Sequence, residues 1–105
     1  MMGRRKMKFE KLLIKSVDDS LKDTFGETAA EIIYKHLERK HSLKQEEIPK
    51  KLEAFIEGLE EFLSSGATVV AGMVLEKLCS NLGIERPSEA LSNFVGCVTK
   101  LKKNY

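Results

Sequence analysis

The segment from Ala67 to Leu75 carries no charge, and its apolar character continues as far as Gly83. No side of this segment is clearly polar, which is typical of a helix packed on several sides by other helices. It is shorter than the roughly 20 apolar residues that a membrane span requires. We therefore predict a central apolar helix at about 66–82, with the rest of the chain arranged around it.

Four amphipathic segments flank this helix in the sequence. Their apolar residues recur at steps of three and four, which predicts helices over about 7–24, 28–41, 49–64 and 88–102. Strict apolar–polar alternation is absent, so no strand is predicted. The predicted stripes are Phe9, Leu12, Leu13, Val17 and Leu21; Ala29, Ile32, Ile33 and Leu37; Leu52, Phe55, Ile56, Leu59, Phe62 and Leu63; and Leu91, Phe94, Val95, Val98 and Leu101. The sequence thus predicts one all-α domain over residues 1–105, a compact bundle of about five helices, with all five phenylalanines in its core.

Glycines and capping residues predict several helix ends. Gly26 and Gly83 can adopt the left-handed conformation that closes a helix, and Ile84 can fold back as in a Schellman motif. Ser64 or Ser65 fits the N-cap of the central helix, although an anion site at its backbone N–H groups is an alternative. A capping box of Thr28 with Glu31, or of Thr24 with Glu27, fits the start of the second helix.

The connection between the second and third helices contains only two apolar residues before its proline. We expect these residues, Leu43 and Ile48, to be buried, and we expect Pro49 to occupy the first position of the third helix. Small residues in the central helix permit close approach of another backbone, either inside the domain or at a self-association face. These residues are Ala67, Ala71 and Gly72.

The net charge of +2 hides an uneven distribution. Residues 1–15 have six basic side chains and one acidic, residues 99–105 have three basic and none acidic, and residues 16–98 have nine basic against fifteen acidic. We therefore predict an acidic body, a basic flexible tail at 1–6 and a basic C-terminal end. No apolar segment of the secretory type follows the basic start, which favours a cytoplasmic protein without a membrane anchor.

No cofactor, metal site or catalytic residue is predicted. His36 and His41 are five residues apart and do not form an i, i+4 zinc pair. Carboxylates recur at every fourth residue of the third helix, where a solvated face is favoured over a site for a divalent cation. Cys79 and Cys97 lie in apolar runs, which favours buried thiols over a disulfide.

Residues 24–84 resemble the archaeal output-domain family named after Nitrosopumilus (NitrOD type). The matching motifs are Gly26-Glu27, Ile33-Tyr34-x-x-Leu37-Glu38-x-Lys40, Leu43-Lys44-x-Glu46-Glu47-Ile48-Pro49, Phe55-x-x-x-Leu59-x-x-Phe62, Gly66-Ala67-x-Val69-Val70 and Leu75-x-x-Leu78-Cys79-x-x-Leu82-Gly83. The resemblance implies a small helical signalling module that regulates through protein contacts and has no catalytic residues. The predicted C-terminal helix at 88–102 is additional to this family-like core.

Two functions remain as hypotheses from the sequence. The first is a non-enzymatic archaeal regulatory protein that acts through protein–protein interaction, as a homodimer or with another protein. The second is a nucleic-acid-binding protein that contacts phosphates without base specificity through its basic ends. The candidate nucleic-acid-binding residues are Arg4, Arg5, Lys6, Lys8, Lys100, Lys102 and Lys103.

Overall fold

The computed structural model describes the backbone of residues 2–84 and 94–104 and the side chains of residues 8–84 and 94–103. It contains α1 (Met2–His41), a 3₁₀ helix (Gln45–Lys50), α2 (Leu52–Leu63), α3 (Gly66–Leu82) and α4 (Phe94–Asn104). These described residues include no β-strand, and none of their helices is both long and apolar enough to cross a membrane. The prediction of an all-α bundle is confirmed.

Gly26 divides α1 into two helical halves, residues 2–25 and 27–41. Its backbone has φ 87° and ψ 168°, which lies outside the helical region and is readily adopted only by glycine. Asp18 and Tyr34 lie eight positions before and eight positions after Gly26. The Tyr34 hydroxyl nevertheless donates a 2.9 Å hydrogen bond to Asp18 Oδ1, which shows that the two halves fold back on each other. Burial of the phenol and this hydrogen bond raise the pKa of Tyr34. The predicted break at Gly26 is therefore confirmed, and a polar contact holds the two halves together.

The two ends of the chain differ from the predicted boundaries. The first helix begins at Met2 rather than near Met7, so residues 2–6 are helical instead of forming a flexible tail. The last helix is described from Phe94 to Asn104, two residues beyond the predicted end. Residues 88–93, where we predicted its start, lie outside the described part of the chain.

The connection after α1 is anchored as predicted, but α2 starts later than expected. Leu43 and Ile48 are both buried, which confirms their predicted role. Pro49, however, lies inside the 3₁₀ helix, and α2 begins at Leu52. The reason is Lys51, whose φ of −131° and ψ of 55° interrupt the helical conformation between them.

The apolar helix α3 packs against α1, α2 and α4, but one side of it faces solvent. The predicted packing on several sides is therefore confirmed, while Val69 is 59% exposed. α1 also contacts α2 and the 3₁₀ helix, so the buried interior is shared among several elements rather than built around α3 alone. Ala67, Ala71 and Gly72 are buried within the chain, so these small residues serve internal packing rather than a self-association face.

The end of α3 is closed by the predicted Schellman motif. The N–H of Ile84 donates to Cys79 O at 3.0 Å, the N–H of Gly83 donates to Ser80 O at 3.2 Å, and Gly83 has a φ of 73°. The start of α3 differs from the prediction, because Ser65 makes no side-chain capping hydrogen bond. Ser64 instead ends α2 with a φ of 53°.

Candidate interaction surface

Two phenylalanines predicted to be core residues are exposed. Phe9, Phe55 and Phe94 are buried as expected, whereas Phe25 is 37% exposed and Phe62 is 42% exposed. The other large apolar side chains exposed among the described residues are Ile32, Val69 and Ile84. Single exposed apolar residues are ordinary on protein surfaces, so only those that share a surface feature indicate a site.

Ile32 and Phe62 line the same groove, between the second half of α1 and the end of α2. The groove has a volume of about 370 Å³ and is lined by Ile32, Lys35, His36, Arg39, Lys40 and Phe62. We call it the Ile32–Phe62 groove. Its α1 wall follows the i, i+3, i+4, i+7 spacing of one helix face, and it changes from apolar at Ile32 to cationic at Arg39.

Gly58 allows the two helices that form the groove to approach closely. A Cβ atom at this position would overlap the Leu37 side chain and lie 3.2 Å from His41 Cδ2. His41 lies against Gly58, and the His36 ring, earlier in α1, lies 5.4 Å from the Phe62 ring, later in α2. The two helices are therefore antiparallel where they form the groove.

Two histidines at the margin of the groove share one carboxylate. His41 Nε2 is 2.9 Å and His36 Nε2 is 3.5 Å from the same oxygen, Glu61 Oε1. The shorter contact is a hydrogen bond, whereas the longer one is an ion-pair distance that leaves the buried His36 Nε2 without a hydrogen bond. The hydrogen bond from His41 is the main reason that the pKa of Glu61 is lowered, with a smaller contribution from His36.

The cluster adds a contact that the sequence did not indicate. Glu53, Glu57 and Glu61 form the row of carboxylates that was predicted to be solvated, and all three are exposed. Only Glu61 contacts histidines, because the antiparallel packing of α1 and α2 brings its side chain to His36 and His41. In the described part of the chain, no group of three His, Cys, Asp or Glu side chains is arranged to hold a metal ion. The hydrogen bond between His41 and Glu61 links the end of α1 to the end of α2 beside the groove.

The candidate nucleic-acid residues lie at the two ends of the chain, and the fold brings these ends together. Lys102 Nζ is 3.3 Å from Glu10 Oε2, which places the end of α4 beside the start of α1. Lys102 is thus paired with a carboxylate, and its role in phosphate binding stays a prediction. The remaining candidates with described side chains, Lys8, Lys100 and Lys103, are exposed. Arg4, Arg5 and Lys6 are in α1, and their side chains lie outside the described set.

The two cysteines are buried as reduced thiols. Cys79 is 2% exposed and Cys97 is 8% exposed, and neither is in a disulfide. This agrees with the prediction of buried thiols. Neither side chain reaches the Ile32–Phe62 groove.

No protein-family model, curated protein or solved structure matches this chain. The structure itself shows an all-α fold.

The groove was missed in the sequence, although a local signal for it exists. Ile32–Ile33 and Phe62–Leu63 are adjacent apolar pairs, and neighbouring helical residues point about 100° apart. Ile33 is buried and Leu63 is partly buried, so Ile32 and Phe62 lie at the edge of each stripe, outside the core. Apolar stripes that are wider than a neighbouring helix can cover are the signal for such a surface.

Proposed function

We propose that this protein is a non-enzymatic regulatory module that acts by binding another protein through the Ile32–Phe62 groove. The observation that carries the proposal is the exposure of two large apolar side chains, 51% for Ile32 and 42% for Phe62, in one groove. Contiguous exposed apolar surface is unfavourable in water unless it is used, and it commonly marks an interaction site.

The walls of the groove are held in place by buried neighbours. Ile33 and Leu37 are 1% exposed on α1, and Leu59 is 0% exposed on α2. The close contact at Gly58 further limits relative movement of the two helices. A surface that is already ordered loses less conformational entropy when a partner binds, which supports a docking function.

The resemblance of residues 24–84 to archaeal signalling output domains also supports a regulatory role. It implies action through protein contacts, in the cytoplasm, without chemistry of the domain's own. The proposal therefore includes neither a catalytic residue nor a cofactor.

A homodimer is a separate part of the proposal. Its motivation is the apolar surface that remains exposed on the single chain, including Val69 on α3. Sedimentation velocity from low to high micromolar concentration tests it. We expect a sedimentation coefficient that rises with concentration, and a strict monomer throughout would contradict self-association.

Affinity capture with matched variants tests the groove. The bait is the full chain as wild type, as the double variant Ile32→Ser with Phe62→Ser, or as the control Val69→Ser. The control removes an exposed apolar side chain of another surface, and circular dichroism establishes that all baits are folded. Proteins captured by wild type and by the control, but lost with the groove variant, support the proposal. Capture that is equal for all three baits would refute the groove as the binding surface.

Nucleic-acid binding is the second candidate, and the Glu10–Lys102 contact favours it because it brings the basic end of α4 beside the first turns of α1. The triple variant Lys8→Ala, Lys100→Ala, Lys103→Ala removes three exposed cations of these two segments. If phosphates bind there, affinity for a DNA or RNA oligonucleotide falls steeply with salt, and the variant reduces the slope. Absence of binding at low salt would eliminate this function.

A further inference from the structure

We propose that the occupant of the Ile32–Phe62 groove is an acidic segment of a different protein that inserts one or two large apolar side chains between Ile32 and Phe62. This inference rests on the proposed function and adds the chemistry of the partner. It is argued from the volume of the groove, from the charge of its lining residues, and from the contacts that a two-fold symmetric dimer would make there.

The size of the groove limits what it can receive. Its volume of about 370 Å³ is near the lower end of the range of about 300–1,000 Å³ that is typical of ligand pockets. The two apolar residues are on opposite walls, so an inserted aliphatic or aromatic side chain contacts both helices. This geometry suits an anchor residue on a peptide segment rather than a broad, flat interface.

The charge of the groove indicates which residues of the partner segment would flank its inserted apolar side chain. Lys35, Arg39 and Lys40 are exposed, and none forms an ion pair with another described residue. Glu61, on the facing helix α2, is already in contact with His36 and His41. Three cations that form no ion pair within the described part of the chain therefore lie along the α1 wall beside the apolar contact, and Asp or Glu side chains on the incoming segment would complement them.

The same charges argue against a second copy of this chain as the occupant. A two-fold symmetric interface places the same surface of both subunits in contact. Symmetric pairing across the groove would bring Lys35, Arg39 and Lys40 of one copy towards the same cations of the other. Like charges brought together in this way oppose association, so the groove fits an anionic partner better.

The apolar walls distinguish a protein partner from a nucleic acid. The cations alone would attract phosphates, and the exposed Phe62 ring offers one stacking face, but Ile32 on the opposite wall offers no second ring to enclose a base. An aliphatic wall facing Phe62 instead matches Leu, Ile, Met or Phe of a peptide. The combination of an apolar anchor site with a cationic surround therefore favours an acidic, apolar-anchored segment.

Selection from random 12-residue peptides displayed on phage tests the inference directly. The immobilised targets are the folded full chain, the apolar variant Ile32→Ser with Phe62→Ser, and the charge variant Lys35→Glu with Arg39→Glu. Lys44→Glu with Lys50→Glu is a matched charge control, because both lysines are exposed and lie outside the groove. We expect peptides that combine excess Asp and Glu with one or two large apolar residues.

Binding of the enriched peptides is then measured by fluorescence anisotropy. We expect affinity to fall about tenfold with the charge variant and to be nearly unchanged with the control. Replacement of the peptide carboxylates by amides should have a similar effect, and replacement of the apolar anchor by Ala should abolish binding. Failure to enrich such peptides, enrichment of neutral or basic peptides, or equal affinity for the charge variant would overturn the inference.

Two further outcomes would assign the groove to another occupant and would also overturn the inference. One is a dimer that dissociates in the apolar variant, as measured by sedimentation velocity. The other is binding of a 20-residue single-stranded DNA that depends on Lys35 and Arg39 more than on the basic ends. The charge variant is also added as a fourth bait in the affinity capture described above. A captured partner that is lost with the apolar variant but retained by the charge variant supports the proposed function while refuting an acidic partner.

Discussion

Replacement of Gly58 by alanine tests how closely α1 and α2 must approach to form the groove. Gly58 is buried in the middle of α2, and an added Cβ would overlap the Leu37 side chain. Leu37 is itself 1% exposed, so its side chain has little space into which to move. The substitution should therefore push the two helices apart or force Leu37 out of its preferred rotamer.

Two opposing effects determine the size of the change. Overpacking a dense core costs about 1–3 kcal/mol. Alanine stabilises a helix interior by about 0.5–1 kcal/mol relative to glycine. We expect overpacking to dominate, with a net loss of about 1–2 kcal/mol in the free energy of unfolding and a decrease of about 4–10 °C in Tm.

Urea denaturation followed by circular dichroism measures this free energy, and Gly66→Ala is the matched control. Gly66 also lies in a helix, but a Cβ there would be only in ordinary contact with Leu63 Cβ at 3.4 Å. The control should be neutral or slightly stabilising. If Gly58→Ala were as stable as wild type, close packing of α1 on α2 would not be a requirement of the fold.

Two further predictions concern polar contacts that the sequence did not indicate. Tyr34→Phe removes the hydrogen bond to Asp18. It should reduce the free energy of unfolding by only about 1 kcal/mol, because Asp18 keeps its ion pair with Lys22. An unchanged urea midpoint would show that the contact does not stabilise the fold of α1. For Glu61, the pKa in the folded protein is below the ordinary value of 4.5, so the carboxylate contributes stability above that pH and loses it as the pH falls through the folded-state pKa. The stability difference between wild type and Glu61→Gln should therefore shrink on acidification from about pH 6 to about pH 3, and a constant difference in the denaturation midpoints would contradict this.

Local backbone chemistry was predictable because it depends on few neighbours. Gly26 and Gly83 have positive φ values of 87° and 73°, as expected of glycines that end helices. The Schellman closure at Gly83 requires only the residues of the final helical turn, all of which are adjacent in sequence. The serine cap predicted for α3 is absent: Ser65 makes no side-chain capping hydrogen bond, and Ser64 ends α2 with a positive φ of 53°.

The burial of Leu43 and Ile48 was also predictable, because they are the only apolar residues of a short polar connection before its proline. Burial along the amphipathic helices was predictable only in part. Periodicity identifies the side of a helix that faces the core, but not how far the neighbouring helix extends over it. Ile32 and Phe62 lie at such an edge, and the position of α2 against the second half of α1 leaves both exposed.

The sequence by itself determined that this chain is all-α, where its glycines interrupt the helices and which faces are apolar. The tertiary structure alone decided that His36 and His41 meet Glu61, that Lys102 meets Glu10, and that Ile32 of α1 shares a groove with Phe62 of α2. The physical reason is that each of these contacts joins residues from helices distant in the chain. These contacts depend on how the helices pack against one another, including the close approach of α1 and α2 at Gly58, and the local sequence pattern does not specify that packing.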